Sequence, residues 1–299
     1  MKKLTYPHVL FVAVLILFNF SCSKDKGPLE EQDLMQGEIS ENPLTMISKD
    51  TLRIPIVHYI SRNSAGINAV TSEQRIVKIM GDINLNFRST KIQFFTRNIK
   101  FLDNTQWNKE FVKQDDFINN KVLNSFEDDT ALNIFYFTKI LNRIDGVIEG
   151  ELGATALFPD QGNNLKLSES AIELENTATV THEIGHYLGL YHTEETFTDS
   201  QGNIELVDGS NCAEAGDKIC DTPASPDLND GNIDEPTCNY IGNETDPAGI
   251  PYNPDTLNFM TQWAGADPEG VLCRRRFSQG QADKMISVLE NERAYLITR

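Results

Sequence analysis

The chain has 299 residues, with 44 acidic side chains against 26 basic ones and a formal net charge of −18. So acidic a chain repels phosphate backbones and anionic headgroups, which excludes nucleic acid and an anionic membrane surface as partners. About 250 residues follow the N-terminal stretch, enough for one sizeable domain with a buried core, and no internal repeat or low-complexity tract divides them.

Lys2 and Lys3 precede an apolar run from Val9 to Phe20. A basic start, a short apolar region and a small residue at the cut describe a secretory signal over residues 1–21, whereas a membrane span needs about 20 apolar residues. Ser21-Cys22-Ser23 marks Cys22 as a candidate lipidation site of the bacterial lipoprotein type. Asn19 and Phe20 are unusual just before such a site, so general secretion with a free Cys22 is the alternative. Removing the leader takes away two lysines and no acid, leaving 24 basic against 44 acidic residues and a net charge of −20. Residues 22–50 read as a flexible, lipid-anchored tether or a short pro-segment. Cys22 is the one thiol there, so a thiol latch over a metal is not expected.

The folded part is expected from residue 51 to residue 299. Ile54, Ile56, Val57 and Tyr59 give residues 52–60 a buried-strand composition, with Pro55 favouring an edge or a strand start. Thr71 and Gln74 have capping-box spacing, and Ile76, Ile79, Met80 and Ile83 follow on one helical face. Residues 91–101 and 132–141 read as further strands, and 153–158 and 165–172 as two more, joined by the turn-rich residues 159–164. A helix then starts near Asn176, capped by Asn176 or Thr177, with Ala178, Val180, Ile184, Tyr187 and Leu188 on its buried faces.

That helix carries the chemistry. His182 and His186 are four residues apart, so they lie one above the other on a helix face and can grip one metal ion. Glu183 lies beside them, placed to take a proton from a metal-bound water. Gly189 lets the helix stop and the chain turn back, and His192 comes round as a third ligand. Three imidazoles on zinc leave a fourth position open, which distinguishes a catalytic site from a closed structural one. Metal-assisted hydrolysis is the chemistry expected.

His182-Glu183-x-x-His186-x-x-Gly189-x-x-His192 resembles the signature of the metzincin zinc endopeptidases, whose second mark is a methionine turn beneath the metal. Met260, in Asn258-Phe259-Met260-Thr261, stands at a suitable distance downstream. His192-Thr193, Gly216-Asp217 with Asp221-Thr222-Pro223, and Cys273 with Phe277-Ser278 and Gln281 are similar to the pappalysin-like (cytophagalysin-type) branch. The resemblance runs from about residue 150 to the C-terminus. It implies an α/β (α+β) fold: a twisted mixed sheet and the active-site helix in an upper half, 51–192, and a loop-rich, disulfide-stapled lower half, 193–299, ending in a helix. It also implies that the strand before the turn, residues 153–158, is an edge to which substrate adds as an extra strand. Composition alone allows an ordinary hairpin strand there.

Beyond His192 the periodicity disappears up to about residue 256. Cys212, Cys220, Cys238 and Cys273 form an even set in an exported chain, which implies two disulfides with three connectivities open. The resemblance leans towards Cys212 with Cys238 and Cys220 with Cys273. A second zinc on four thiolates lacks the paired spacing it needs. Asp217, Asp221 and Thr222 are candidate calcium ligands, as the resemblance also implies, and residues 227–234 are a weaker set without the spacing of a twelve-residue calcium loop. Met260 would pack under the imidazoles without being a ligand. Two residues on, the family commonly has a tyrosine that helps hold the oxyanion. Here the residue is Gln262, whose amide can still donate a hydrogen bond. Ser278 and Gln281 form another capping box, with Met285, Ile286, Leu289 and Tyr295 tracing the apolar side of a helix that closes the lower half.

The expectation is a zinc-dependent endopeptidase with Glu183 as base and then acid. It is exported and lipid-anchored at a bacterial membrane or cell surface, or else secreted. It acts on protein or peptide, a monomer being favoured with the oligomeric state left open, and it meets a membrane only through the anchor. The alternatives are a catalytically silent surface-binding lipoprotein and a zinc hydrolase of some other substrate.

Overall fold

Strand β1 (Leu52–Arg62) opens the fold in the computed structural model, which describes residues 51–112, 122–144, 147–173, 177–266 and 272–298. The leader, Cys22, the tether and Asn176 lie outside the described residues. Side chains alternate across a strand, and β1 uses both faces: Ile54, Ile56 and Ile60 enter one core, Val57 and Tyr59 another. The same division runs through β4 (Leu132–Phe137), where Leu132, Ile134 and Tyr136 face the first core and Phe135 and Phe137 the second. These continuous apolar runs are what a strand buried on both faces requires.

The five-stranded sheet has the order β2-β1-β4-β8-β7, with β2 at Ile92–Asp103, β7 at Ala154–Ala156 and β8 at Asn164–Ser168. The first four strands run parallel and β7 is antiparallel to β8, so the sheet is mixed with β7 at one edge. Although β1 is an interior strand, its register with β4 starts only at Ile56, so Pro55 lies where β1 has a single neighbour in the sheet. Helix α1 (Glu73–Asn86) covers the first core with Ile76, Ile79, Met80 and Ile83. Its cap is Ser72, not Thr71, and the residue facing Ser72 three positions on is Arg75, so no capping box forms.

Two expected strands are each divided. Residues 132–141 split into β4 and β5 (Ile140–Ile144), and β5 leaves for a separate sheet of order β3-β5-β6 with β3 at Phe111–Val112 and β6 at Val147–Leu152. Leucines and isoleucines suit either sheet, so composition does not reveal the break. Residues 165–172 end as a strand at Ser168, and the rest forms α3 (Glu169–Glu173). A short α2 (Thr105–Lys109), capped by Asn104, precedes β3.

The helix that carries His182 and His186 is α4 (Ala178–Tyr187), and among the described residues between His192 and α5 (Gln279–Asn291) the strands are the short pair β9 (Ile233–Asp234) and β10 (Asn239–Tyr240). The disulfides are Cys212–Cys220 and Cys238–Cys273, correcting the pairing that the resemblance favoured. Cys238 and Cys273 share a small core with Leu228, Ile233 and Trp263, which brings their Cα atoms to 5.7 Å. Cys212 and Cys220 close a local turn outside that core, with Cα atoms 5.0 Å apart.

Helix α5 has the expected Ser278–Gln281 capping box, but it does more than close a lower half. Met285 and Leu289, with Leu296 of the 3-10 turn Ala294–Leu296, enter the same core as β1 and α1. Tyr295 lies beyond the helix and is exposed. Thr298 pairs with Arg53, so the last described residue returns to the first strand. Among the described residues no helix is long and apolar enough to cross a membrane.

Candidate metal centre

Helix α4 starts without a side-chain cap: Thr177 is the N-cap in a left-handed conformation (φ 48°), and its hydroxyl makes no cap bond. Burial holds the helix in place, since Ala178, Val180, Ile184 and Tyr187 are all fully enclosed. It ends after three turns at Gly189 (φ +85°), where the Gly189 N–H donates to His186 O at 2.9 Å and Leu190 N–H to Gly185 O at 3.0 Å. A Cβ on Gly189 would meet Val288 Cγ2 at 2.9 Å, so both the turn and α5 require glycine there.

The turn delivers His192 to the helix face. His186 Nε2 stands 3.0 Å from His182 Nε2 and 3.1 Å from His192 Nε2. The His182 Nδ1–H donates to Phe259 O at 2.7 Å and the His186 Nδ1–H to Leu190 O at 2.8 Å. A carbonyl only accepts, so each of these rings keeps its proton on Nδ1 and aims a lone pair from Nε2. Two lone pairs facing at 3.0 Å repel unless a cation lies between them. Nitrogens bound at about 2.0 Å around a tetrahedral zinc stand about 3.3 Å apart, so the donor set fits zinc. Burial pushes His182 well below its usual range and His186 and His192 down to about 4, which keeps all three as neutral donors. His192 differs in its support: its Nδ1 lies 3.5 Å from the Glu195 carboxylate. Among the described residues these histidines are the one group of three or more His, Cys, Asp or Glu side chains that converges as metal ligands would.

Glu183 is 8% exposed on α4 beside the histidines, within electrostatic reach of the buried Arg274. Met260 is fully buried beneath the helix, and a Cβ on Gly185 would sit 2.3 Å from its Sδ. Gly185 is therefore what lets the methionine approach. The sequence signal was a glycine inside a helix, unfavourable by about 1 kcal/mol unless something packs there. The turn is held from several sides. Phe259 O receives His182, Met260 O receives the Thr193 N–H at 3.1 Å, and Asn258 exchanges hydrogen bonds of 3.0 Å with Gln281 of α5. Phe158, just after β7, places its ring 5.3 Å from that of His186.

Gln262 is exposed and lines a cavity of about 410 Å³ with His192, Glu194, Glu195, Asp227 and Tyr252. Sequence reading missed Glu194 and Arg274, both nearly enclosed. Desolvation raises the Glu194 carboxyl and lowers the Arg274 guanidinium to about 10.

The calcium candidates do not all meet. Thr222 donates to both Asp217 oxygens at 2.9 Å, but Asp221 turns to the start of α5, accepting from Ser278 Oγ at 2.7 Å and Gly280 N at 2.8 Å. Glu205 also lies near enough to Asp217 to feel its charge. Burial and then the charge of Asp217 push Glu205 to about 8, and burial pushes Asp217 to about 7. In residues 227–234, Asp230 accepts the Trp263 indole N–H at 2.9 Å and the Asp227 carbonyl accepts from Asn232 at 2.9 Å.

The chain is similar to an extracellular metalloprotease of Arthroderma gypseum, 27% identical over 208 residues, 65% of this chain and 64% of that protein. It is 31% identical over 108 residues to an extracellular metalloprotease of Arthroderma otae, 31% of this chain and 32% of that protein. It thus spans less than two thirds of either curated relative. A solved structure, metalloproteinase-II from Bacteroides fragilis, overlaps 49% of this chain and 45% of its own at 13% identity and a TM-score of 0.31, too little to bear on the fold. The peptidase M43 family model, described as Pregnancy-associated plasma protein-A, matches residues 107–290. With more than half of its length matched, the chain belongs to that metallopeptidase family.

Proposed function

We propose that this protein is an exported zinc endopeptidase, anchored through Cys22, and that residues 51–299 form its catalytic domain. The carrying observation is the convergence of three imidazole nitrogens beside the buried Glu183. His182, His186 and His192 would hold the metal. Zinc so held supplies Lewis acidity, which acidifies water and polarises a carbonyl oxygen. Glu183 takes the proton of the attacking water as its oxygen bonds to the scissile carbon, and passes that proton to the amine nitrogen as the C–N bond breaks. The open backbone of β7 pairs with the extended substrate, and the Gln262 amide donates to the oxygen that becomes negative. Glu195 and Asp227 around the cavity beside His192 favour a basic substrate side chain.

The experiment is to quantify zinc in the purified chain and incubate it with a mixed peptide library, with and without chelator, reading cut sites by mass spectrometry. One zinc per chain with chelator-sensitive cuts next to basic residues is expected. Zinc without cleavage, even after removal of residues 22–50 as a pro-segment, would replace this reading with a silent binding lipoprotein, which the Gln262 departure favours. Absence of zinc from a chain never exposed to chelator would end both.

Calcium is the second cation we propose, between Glu205 and Asp217, where it would offset two buried acids. Millimolar calcium should raise the melting temperature of the wild type and leave Glu205→Gln unmoved. Equal melting curves for the wild type with and without calcium would remove the site.

A further inference from the structure

The chain just beyond Met260 is pinned by two enclosed side chains of opposite charge. The Gln262 N–H lies 3.0 Å from each carboxylate oxygen of Glu194. The Gln262 carbonyl accepts from Arg274 Nη2 at 2.7 Å, and Arg274 Nε donates to the Trp263 carbonyl at 3.3 Å. Glu194 is 9% exposed and Arg274 5%, and the Thr193 hydroxyl donates to Glu194 at 3.0 Å. Burying an ion is unfavourable unless a partner or hydrogen bonds compensate it, and here much of the compensation comes from one residue's backbone.

The two bonds fall on the peptide units on either side of the Gln262 Cα. Together they set its φ and ψ, and so the direction of its Cα–Cβ bond. The side chain itself is left exposed in the cavity that His192 lines. Glu194 stands two residues after the third histidine, and Arg274 follows the disulfide-bonded Cys273. The clamp thus joins the segment of His192 to the methionine turn at the one position where this chain departs from the family's tyrosine.

We propose that Glu194 and Arg274 are positioning residues that hold Gln262 so that its amide reaches the scissile carbonyl beside His192. This rests on the peptidase reading above. A tyrosine reaches such an oxygen with a rigid ring. The more flexible glutamine side chain gains from a fixed root.

The test uses the full zinc-loaded chain and one peptide substrate, measuring kcat, KM, zinc content and melting temperature together. Gln262→Ala is expected to lower kcat by about 100-fold with KM little changed, the size of effect seen when one oxyanion donor is removed. Arg274→Lys, which cannot reach both carbonyls, should lower kcat about tenfold, and in the Gln262→Ala background it should lower kcat less than twofold further. Should Arg274→Lys not fold, Glu194 serves: Glu194→Gln keeps an acceptor and most of kcat, while Glu194→Ala loses about tenfold, again only when Gln262 is present. Effects that multiply in the double variants, or an unchanged kcat in Gln262→Ala, would overturn the inference and leave the peptidase intact. Zinc-loaded wild type that cuts nothing would overturn both.

Discussion

Gly185 shows how much one missing methyl group decides. Its Cα faces Met260, and alanine there would place Cβ 2.3 Å from the sulfur. Gly185→Ala should lower stability by about 1–3 kcal/mol, as overpacking does, and weaken zinc binding because Phe259 O also orients His182. Chemical denaturation and competition with a zinc indicator would check both, and unchanged zinc affinity would detach the turn from the ligands. Glu183→Ala should keep one zinc per chain and lose at least about 100-fold in turnover. Unchanged turnover would remove Glu183 from the chemistry. His58, on β1, is fully buried, with Nδ1 2.8 Å from the Tyr136 hydroxyl and Nε2 3.2 Å from Thr96 Oγ1. Burial lowers its pKa from 6.5 to about 3, so the unfolded chain binds a proton in that window that the folded chain refuses. The stability it contributes is complete above about pH 6.5 and is lost as pH falls towards 3. His58→Gln should therefore lose less stability than wild type between pH 7 and pH 5, and equal losses would exonerate His58.

At the scale of elements, α4 was the most legible part of the chain, because its histidine spacing depends only on helix geometry. Its limits were less so: Thr177 is left-handed with no side-chain cap, and the helix is fixed by what surrounds it. Strand β7 lies at a sheet edge, although composition alone could not separate it from a hairpin strand. The divisions between β4 and β5 and between β8 and α3 were invisible because both sides of each break are similarly apolar. The disulfides make a quantitative case. Cys238–Cys273 closes 35 residues and Cys212–Cys220 only 8, so the chain-entropy model gives about 4 and about 2.5 kcal/mol. Cys238→Ser with Cys273→Ser should thus lower stability more than the Cys212/Cys220 double variant. The reverse order by denaturation would point to strain or residual unfolded structure instead.

For the whole molecule, the two expected halves share one core. Phe259, Met260, Phe277, Met285 and Leu289 pack with residues of β1, α1 and α4. Arg293 joins them further: it is 1% exposed, lies 3.6 Å from the Tyr187 ring centroid and donates to Tyr187 O at 3.1 Å and Gly162 O at 2.8 Å. A cation is favoured where α4 presents its last carbonyls. The sequence by itself determined the three histidines that converge, the acid beside them, the buried methionine, the capping box of α5 and the presence of two disulfides. Each of these follows from local spacing or from chemistry that few residue types can perform. Only the tertiary structure decided which cysteines meet, that Asp221 turns to α5 while Glu205 joins Asp217, and that Glu194 and Arg274 hold Gln262. Those outcomes depend on which distant segments approach within a few ångströms, and in loops without periodicity nothing local encodes that approach.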